Sequence, residues 1–318
     1  MGTIALRTTA RRWLSLVGLT LTALAGAAVA AETGRIGVSV TDLGNPFFVR
    51  VARGVETSAR RVVGPEVKVY VASNAYDIQR QIQQIDDFIR RQVDLIVLNA
   101  ADPNAVEAAV NRAQAKGIRV VAVDVRAAGA DATITTDNVQ AGELACRYIV
   151  EKLGGSGQVV IINGPPVSAT IDRVAGCRKV LDATPGIRLL SADRNGGGTS
   201  EGGFAKMTDL LTLFPHIDAV FAINDPTAIG ADDAARQAGR SDFFIVGVDG
   251  APKAKGRMKD GNSLIAATVA QMPDKLAQKA VEAGYALIRK QTIREHTVLI
   301  PAILLTRDSV QNQDDWSR

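Results

Sequence analysis

The chain has 318 residues, of which 47% are hydrophobic, 22% charged and only 4% aromatic. This balance is typical of a folded protein of about two domains and excludes a disordered chain. The formal net charge is +4, but three arginines and no acidic residue lie in residues 1–31, which leaves 34 Lys and Arg against 33 Asp and Glu. A charge this close to balance predicts no nucleic-acid partner.

Residues 1–31 are predicted to be a signal peptide that is removed on export. They combine a positive start, a short apolar run and small residues at the cleavage site, found as Arg7, Arg11 and Arg12, Trp13 to Ala25, and Ala28-Val29-Ala30. The Arg11-Arg12 pair suggests a twin-arginine signal, but its neighbours fit that pattern poorly, which favours the ordinary Sec signal. No cysteine stands at the cleavage site, so we expect release into the periplasm without a lipid anchor.

From Gly34 onward, short runs of apolar and β-branched residues alternate with longer segments of helical periodicity. This alternation predicts β-α-β units, which build a buried parallel sheet with helices on its faces. In the first block the predicted strands are Ile36–Val40, Val67–Val71, Leu95–Leu98 and Val120–Val123, and the helices are Phe47–Arg61, Asp77–Arg91 and Ala105–Lys116.

The alternation breaks after Asp124 and restarts at Asp137, which we expect to cap the next helix. A second block follows, with strands predicted at Val159–Ile162, Ile187–Leu190, Ala219–Ile223 and Phe244–Val248. The chain then continues with a strand at Leu264–Val269, a helix at Pro273–Lys290 and a strand at Val298–Leu305. Because Pro301 cannot donate to a strand ladder, we expect an edge strand or a crossover there.

Two adjacent phenylalanines stand where the first strand turns into a helix. Phe47 and Phe48 directly follow Asn45-Pro46, and aromatic rings at such a turn are unfavourable in water unless something covers them. Ligands of open α/β sheets bind at the edge where the strands end. We therefore expect a small polar molecule to cover the rings; core packing beneath the loop is the alternative.

Five stretches resemble periplasmic binding proteins of the ribose-binding type, which feed sugars to ABC importers. They are Gly44-Asn45-Pro46-Phe47-Phe48, Asp137-Asn138, Phe221-Ala222-Ile223-Asn224-Asp225, Val246-Gly247-Val248-Asp249-Gly250 and Ala266-Ala267-Thr268-Val269-Ala270-Gln271-Met272-Pro273-Asp274. The resemblance implies an α/β fold of two similar Rossmann-like lobes with parallel sheets, joined by three hinge crossings near Thr136, Gln271 and Pro301. It implies an N-terminal lobe of residues 32–136 plus 272–300 and a C-terminal lobe of residues 137–271 plus 301–318.

Carried over by position, the resemblance implies nine ligand-binding residues, namely Asn45, Phe47, Phe48, Asn99, Asp124, Arg173, Asn224, Asp249 and Gln271. Their chemistry suits a sugar or polyol. Carboxylates accept hydroxyl hydrogens in charge-assisted bonds, amides both donate and accept, and phenylalanine rings cover apolar ring faces. The arginine can donate to sugar oxygens and offset the carboxylate charge.

Two positions depart from the ribose-binding pattern. Where that type has an arginine after the fourth-strand aspartate, this chain has Val125, with Arg126 one place further on. The second-lobe aromatic residue that covers the other sugar face falls at about Gly198. Both changes point away from ribose itself, toward another sugar, a polyol or a bulkier ligand.

Several of these residues also have simpler interpretations. The aspartates at strand ends are often helix N-caps, and we expect that role for Asp225; Asn99 and Asn224 could be turn residues, and Arg173 could be a surface charge on a helix. His216 and His296 are isolated, so no metal site or cofactor is predicted. Export permits a disulfide between Cys146 and Cys177, although their helical apolar patterns favour two buried free thiols.

We therefore expect a monomeric periplasmic solute-binding protein, not an enzyme, that closes its lobes on a sugar or polyol. It would deliver the ligand to the membrane permease of an ABC importer. The alternative is presentation of the ligand to a chemoreceptor or sensor kinase. The signal peptide and the missing helix-turn-helix disfavour a sugar-responsive repressor, and a mutarotase or hydrolase would be recognised by turnover of the bound sugar.

Overall fold

The computed structural model describes residue 1 and residues 34–312. The strands are β1 Arg35–Val40, β2 Lys68–Ser73, β3 Leu95–Leu98, β4 Arg119–Val123, β5 Ala132–Thr136, β6 Ser156–Asn163, β7 Gly186–Asn195, β8 Ala219–Ala222, β9 Phe244–Asp249, β10 Ile265–Ala270, β11 Thr297–Ile300 and β12 Ile303–Thr306. Apart from Met1, the predicted signal peptide lies outside the described residues.

The helices between these strands confirm the predicted alternation, with ends that differ by a few residues. They are α1 Pro46–Val62, α2 Ile78–Arg90, α3 Glu107–Gln114, α4 Asn138–Lys152, α5 Ser168–Asp182, α6 Ser200–Leu213, α7 Asp225–Gln237, α8 Pro252–Asp260 and α9 Pro273–Ile288. The predicted cap of α4 is confirmed, because the side chain of Asp137 accepts a hydrogen bond from the backbone N–H of Gln140. None of the described helices is long and apolar enough to span a membrane.

The strands form two six-stranded sheets with the same order of strands. One sheet runs β11-β5-β4-β3-β1-β2 and the other β12-β10-β9-β8-β6-β7, so the prediction of two similar lobes is confirmed. Every pair in the first sheet is parallel, whereas β12 pairs antiparallel with β10. The second sheet is therefore parallel except at that edge.

Helices cover both faces of each sheet, which explains why the central strands read as continuous apolar runs. In the first lobe, α1 and α9 pack on one face and α2 and α3 on the other. In the second lobe, α4 and α5 pack on one face and α6, α7 and α8 on the other. Several of the polar residues considered below lie at the carboxyl ends of these strands.

The chain passes between the sheets three times, after β5, after β10 and between β11 and β12. The single strand predicted at Val298–Leu305 is therefore two edge strands in different sheets. Pro301 lies in the short link between them, where no ladder hydrogen bond is needed. The predicted crossover at this proline is confirmed.

Cys146 and Cys177 are joined in a disulfide between α4 and α5, so the favoured interpretation as free thiols was wrong. The two helices touch through glycine: a Cβ on Gly142 would lie 2.0 Å from the carbonyl oxygen of Arg173, and one on Gly176 would lie 2.1 Å from that of Val139. The helical pattern identifies both cysteines as buried, but it does not show that α4 and α5 pack this closely. The disulfide depends on that tertiary contact.

Replacing both cysteines by alanine is expected to lower stability without changing the ligand site. The bridge spans a sequence separation of 31 residues, for which the chain-entropy model gives a stabilisation of about 3–4 kcal/mol. Thermal unfolding should therefore show a lower Tm for the double variant, with ligand affinity near that of the wild type. Free thiols in the native wild-type protein, or an unchanged Tm in the variant, would contradict this.

Candidate functional site

A cavity of about 40 Å³ lies between the two lobes. Eight of the nine predicted ligand residues line it, namely Asn45, Phe47, Phe48, Asp124, Arg173, Asn224, Asp249 and Gln271. Asn99 is buried beside the cavity without lining it. The lining residues that sequence reasoning missed are Tyr76, Pro165, Val167, Ala169, Thr170 and Ile223.

The first wall is the amino-terminal turn of α1. The side chain of Asn45 caps this helix by accepting from the backbone N–H of Phe47 at 2.9 Å, and Pro46 occupies the first turn. Phe47 and Phe48 are therefore helical residues; they are 3% and 7% exposed, with ring centroids 5.3 Å apart. Both rings belong to the first-lobe core and also line the cavity, so core packing and ligand cover are compatible.

Asp124 is the first-lobe carboxylate of the cavity. It follows β4, and its backbone has a φ of +68°, which non-glycine residues seldom adopt. Because β5 rather than a helix comes next, the alternative role as a helix cap is wrong. Burial raises its pKa to about 6, partly offset by the positive charge of Arg173 and a hydrogen bond from Asn99.

Asn99 holds Asp124 in place from behind. Its Nδ2 donates to Asp124 Oδ2 at 2.9 Å and to the carbonyl oxygen of Val123 at 3.3 Å. Its Oδ1 accepts from the hydroxyl group of Thr41. These bonds place Asn99 as a support of Asp124 behind the cavity wall, and its predicted contact with a ligand stays a prediction.

Asp249, the last residue of β9, is the second-lobe carboxylate. Its φ is +135°, and its Oδ1 accepts from Gln271 Nε2 at 2.8 Å. Burial raises its pKa to about 6 as well, again offset by Arg173. Gln271 also accepts from the hydroxyl group of Thr136 at 2.6 Å, so it links the first and second crossings to this carboxylate.

The predicted helix cap at Asp225 was wrong, because Asn224 is the residue that caps α7. The side chain of Asn224 accepts from the backbone N–H of Thr227, whereas Asp225 is fully buried. Asp225 accepts from the backbone N–H of Ala251 and the hydroxyl group of Thr268. Burial and the charge of neighbouring Asp249 raise its pKa well above the usual range, since two adjacent buried carboxyls resist carrying two charges.

Arg173 supplies the positive charge of the cavity and is 5% exposed, so its interpretation as a surface charge was wrong. Its Nε donates to Asn138 Oδ1 at 2.8 Å and its Nη1 to the carbonyl oxygen of Ile223 at 2.9 Å. Nη1 also lies 3.8 Å from Asp249 Oδ1. These bonds fix the guanidinium group, and the contact between α4 and α5 fixes the backbone that carries it.

The residues at the first departure from the ribose-binding pattern do not face the cavity. Val125 packs in the first-lobe core and is 2% exposed. Arg126 crosses to the second lobe, where its Nη1 and Nη2 lie 2.6 and 3.1 Å from the two carboxylate oxygens of Asp172. Its backbone N–H donates to the hydroxyl oxygen of Ser168 at 2.8 Å. Arg126 thus joins the lobes directly.

Tyr76 could have been found from the sequence by the argument used for Phe47 and Phe48. It is an aromatic residue in a polar turn, Asn74-Ala75-Tyr76-Asp77, just after a predicted strand. No cluster of His, Cys, Asp and Glu in the described part of the chain is arranged to hold a metal ion. The cavity presents two carboxylates, one guanidinium, three side-chain amides and three aromatic rings as its main chemistry.

Comparisons with known proteins agree with this architecture. Residues 36–292 match the family model described as a periplasmic binding protein domain. The ribose import binding protein of Bacillus subtilis (strain 168) is 33% identical over 276 residues, which is 86% of this chain and 87% of that protein. The xylitol-binding protein of Mycolicibacterium smegmatis is 31% identical over 301 residues, 92% of this chain and 84% of that protein.

A solved structure supports the same family. The periplasmic solute-binding protein of an ABC transporter from Actinobacillus succinogenes 130z, crystallised with bound D-allose, superposes with a TM-score of 0.80 at 26% identity. The match covers 88% of this chain and 100% of that chain. The overall fold is thus shared, and the chain belongs to the periplasmic binding protein family, whose members are solute-binding components of transport rather than enzymes.

Proposed function

We propose that this protein captures a neutral sugar or polyol between its lobes and delivers it to an ABC importer. The observation that carries the proposal is the pair of buried carboxylates, Asp124 from the first lobe and Asp249 from the second, that line one cavity together with Arg173. Carboxylates accept hydrogen bonds from hydroxyl groups. A ligand rich in hydroxyl groups supplies several such donors and adds no charge of its own.

The charge balance of the cavity argues against other small ligands. When both carboxylates are ionised, they outnumber the single guanidinium, so an anionic ligand would meet net repulsion. Phe47 and Phe48 provide an apolar surface, which suits the C–H groups of a sugar or polyol. The relatives described above are named for ribose and xylitol, and the protein crystallised with D-allose has the same fold, which supports a polyhydroxylated ligand.

The mechanism that fits the geometry is closure of the lobes about the three crossings. A ligand bonded to Asp124 and Asp249 at once binds the closed state better than the open state, and this difference shifts the population toward closure. Arg126 and Asp172 contribute a contact between the lobes that needs no ligand. Closure would then present both lobes together to the membrane permease.

We further propose that the mature protein acts as a periplasmic monomer, with the permease as its partner. The signal-like sequence of residues 1–31 and the similarity to import binding proteins support this. The alternative, a ligand-presenting subunit for a chemoreceptor or sensor kinase, is less favoured because these relatives are named for import or for ligand binding.

Isothermal titration with a panel of pentoses, hexoses, pentitols, hexitols and inositols tests the function. At least one member is expected to bind with one site per chain and with about micromolar or tighter affinity, because several charge-assisted bonds form in a closed cavity. Amino acids and dicarboxylates serve as controls and are expected to give no heat of binding. Binding of a control class in place of every sugar and polyol would contradict the proposal.

Binding is expected to weaken as the pH falls below about 6. The ligand needs acceptor carboxylates, and the pKa of Asp124 and of Asp249 is about 6 in the ligand-free protein, so protons compete with the ligand. Titrations in a single buffer series should show a constant Kd near pH 8 and a rising Kd toward pH 5. A Kd that is flat across this range would contradict the role of these groups.

The Asp124→Asn variant tests how ionisation of Asp124 affects the stability of the ligand-free fold. Because the folded-state pKa of Asp124 exceeds its ordinary value, the ionised group destabilises the ligand-free fold above about pH 6, and this effect disappears as the pH falls toward 4. The variant should therefore have a higher Tm than the wild type near pH 8, with a gap that shrinks toward pH 4. Asp260→Asn, on the exposed surface of α8, is the control for the loss of one carboxylate away from the cavity.

Arg126→Gln is expected to raise the Kd modestly, by about two- to fivefold, because the pair with Asp172 is partly exposed and such pairs contribute about 0.2–1 kcal/mol. The side chains of Arg126 and Asp172 are 53% and 22% exposed, so salt should screen the effect. Arg147→Gln breaks an exposed pair within the second lobe alone and should leave the Kd unchanged. Equal effects of the two variants would contradict a role in closure.

A further inference from the structure

The turn between β2 and α2 holds an aromatic residue at the rim of the cavity. Ala75 and Tyr76 have φ values of +54° and +58°, which non-glycine residues adopt only when the surroundings impose them. Fully buried Asn74 supports the turn: its Oδ1 accepts from the backbone N–H of Tyr76 at 2.9 Å, and its Nδ2 donates to the carbonyl oxygen of Asn99 at 3.2 Å. Since Asn99 also holds Asp124, the turn and the carboxylate share one buried support.

Across the cleft, Gly198 leaves a space open beside this tyrosine. Its φ is +71°, and its carbonyl oxygen accepts from Asn224 Nδ2 at 2.9 Å. A Cβ on Gly198 would lie 3.6 Å from the hydroxyl oxygen of Tyr76 and 3.4 Å from Asn224 Nδ2. An added Cβ would therefore already touch both groups, so the first-lobe tyrosine lies directly beside the position where the resemblance places a second-lobe aromatic residue.

We propose that Tyr76 is a ligand-contacting residue that closes the cleft beside Gly198 and selects ligands that turn a hydroxyl group toward it. The inference rests on the proposed sugar or polyol site, because Tyr76 lines that same cavity. A phenylalanine in this space would offer only an apolar ring. A tyrosine adds a hydroxyl group that donates to, or accepts from, a ligand hydroxyl.

The surroundings of Tyr76 suit this role. The residue is 37% exposed, as expected at a rim, while its hydroxyl end lies against Gly198 of the other lobe. Burial, and next the negative charge of Asp124, raise the pKa of Tyr76 above its ordinary value. The hydroxyl group therefore keeps its proton and stays a donor at neutral pH.

Substitutions at Tyr76 test the contact, using the member of the sugar and polyol panel that the wild-type protein binds most tightly. Tyr76→Phe is expected to raise the Kd about fivefold or more through loss of one hydrogen bond, and Tyr76→Ala roughly 10- to 100-fold through loss of the aromatic contact as well. Tyr70→Phe is the matched control, since Tyr70 lies in β2 against Arg91 and does not line the cavity. It should leave the Kd unchanged.

Substitutions at Gly198 test the shared space. Asparagine tolerates a positive φ better than most residues, so Gly198→Asn adds mainly a side chain that crowds Tyr76 and Asn224, and it should raise the Kd about tenfold or more. Gly197→Asn is the control, because Gly197 has a φ of +64° and no atom within 4 Å of its added Cβ. Adding Tyr76→Ala to Gly198→Asn should cost less affinity than the sum of the single effects.

The outcomes separate this inference from the function on which it rests. A wild-type protein that binds no member of the panel overturns both. A wild-type protein that binds, while both Tyr76 variants keep its Kd and its Tm, overturns the role of Tyr76 alone and leaves the proposed function standing. Strictly additive effects of Tyr76→Ala and Gly198→Asn would show that Tyr76 and a side chain at position 198 do not compete for the same space.

Discussion

The arrangement of the cleft depends on two buried carboxylates that face one cavity from opposite lobes. Asp124 and Asp249 are 6% and 3% exposed, and removing such groups from water is unfavourable unless they are paired or hydrogen-bonded. The protein supplies only part of that compensation, through Asn99, Gln271 and a guanidinium group 3.8 Å from one of them. The remaining acceptor capacity is available to a ligand.

The rest of the fold holds these groups in place. Both carboxylates sit on backbone of positive φ, +68° and +135°, which surrounding structure must stabilise. Arg173 is fixed by Asn138 and by the contact of α4 with α5, which two glycines permit. Side chains held in this way need little rearrangement when a ligand binds. Their ionised carboxylates reduce the stability of the ligand-free protein.

Much of this could be predicted because it depends on local sequence. Strand and helix periodicity identified the alternation, and the carboxyl ends of the strands indicated where polar residues would meet. Asn45 and Asp137 could be recognised as helix-capping types, and Pro301 marked a crossover. These features follow from residue type and spacing within a few positions of the chain.

What could not be predicted depends on contacts between distant segments. Periodicity does not reveal that Cys146 and Cys177 approach each other, or that Arg126 reaches Asp172 on the other lobe. Asn99 and Asp225 have the residue types of ligand-binding and capping groups, yet their partners lie inside the protein. The turn that carries Tyr76 could be recognised from its residue types, but the closeness of Tyr76 to Gly198, 122 positions further along the chain, could not.

The central claim is that one ligand bonds to carboxylates of both lobes at once. A crystal structure with the tightest-binding sugar or polyol tests it most directly. The account predicts ligand hydroxyl oxygens within about 2.5–3.0 Å of the carboxylates of both Asp124 and Asp249, with the lobes closed. A ligand that contacts only one lobe, or that binds outside this cavity, would contradict it.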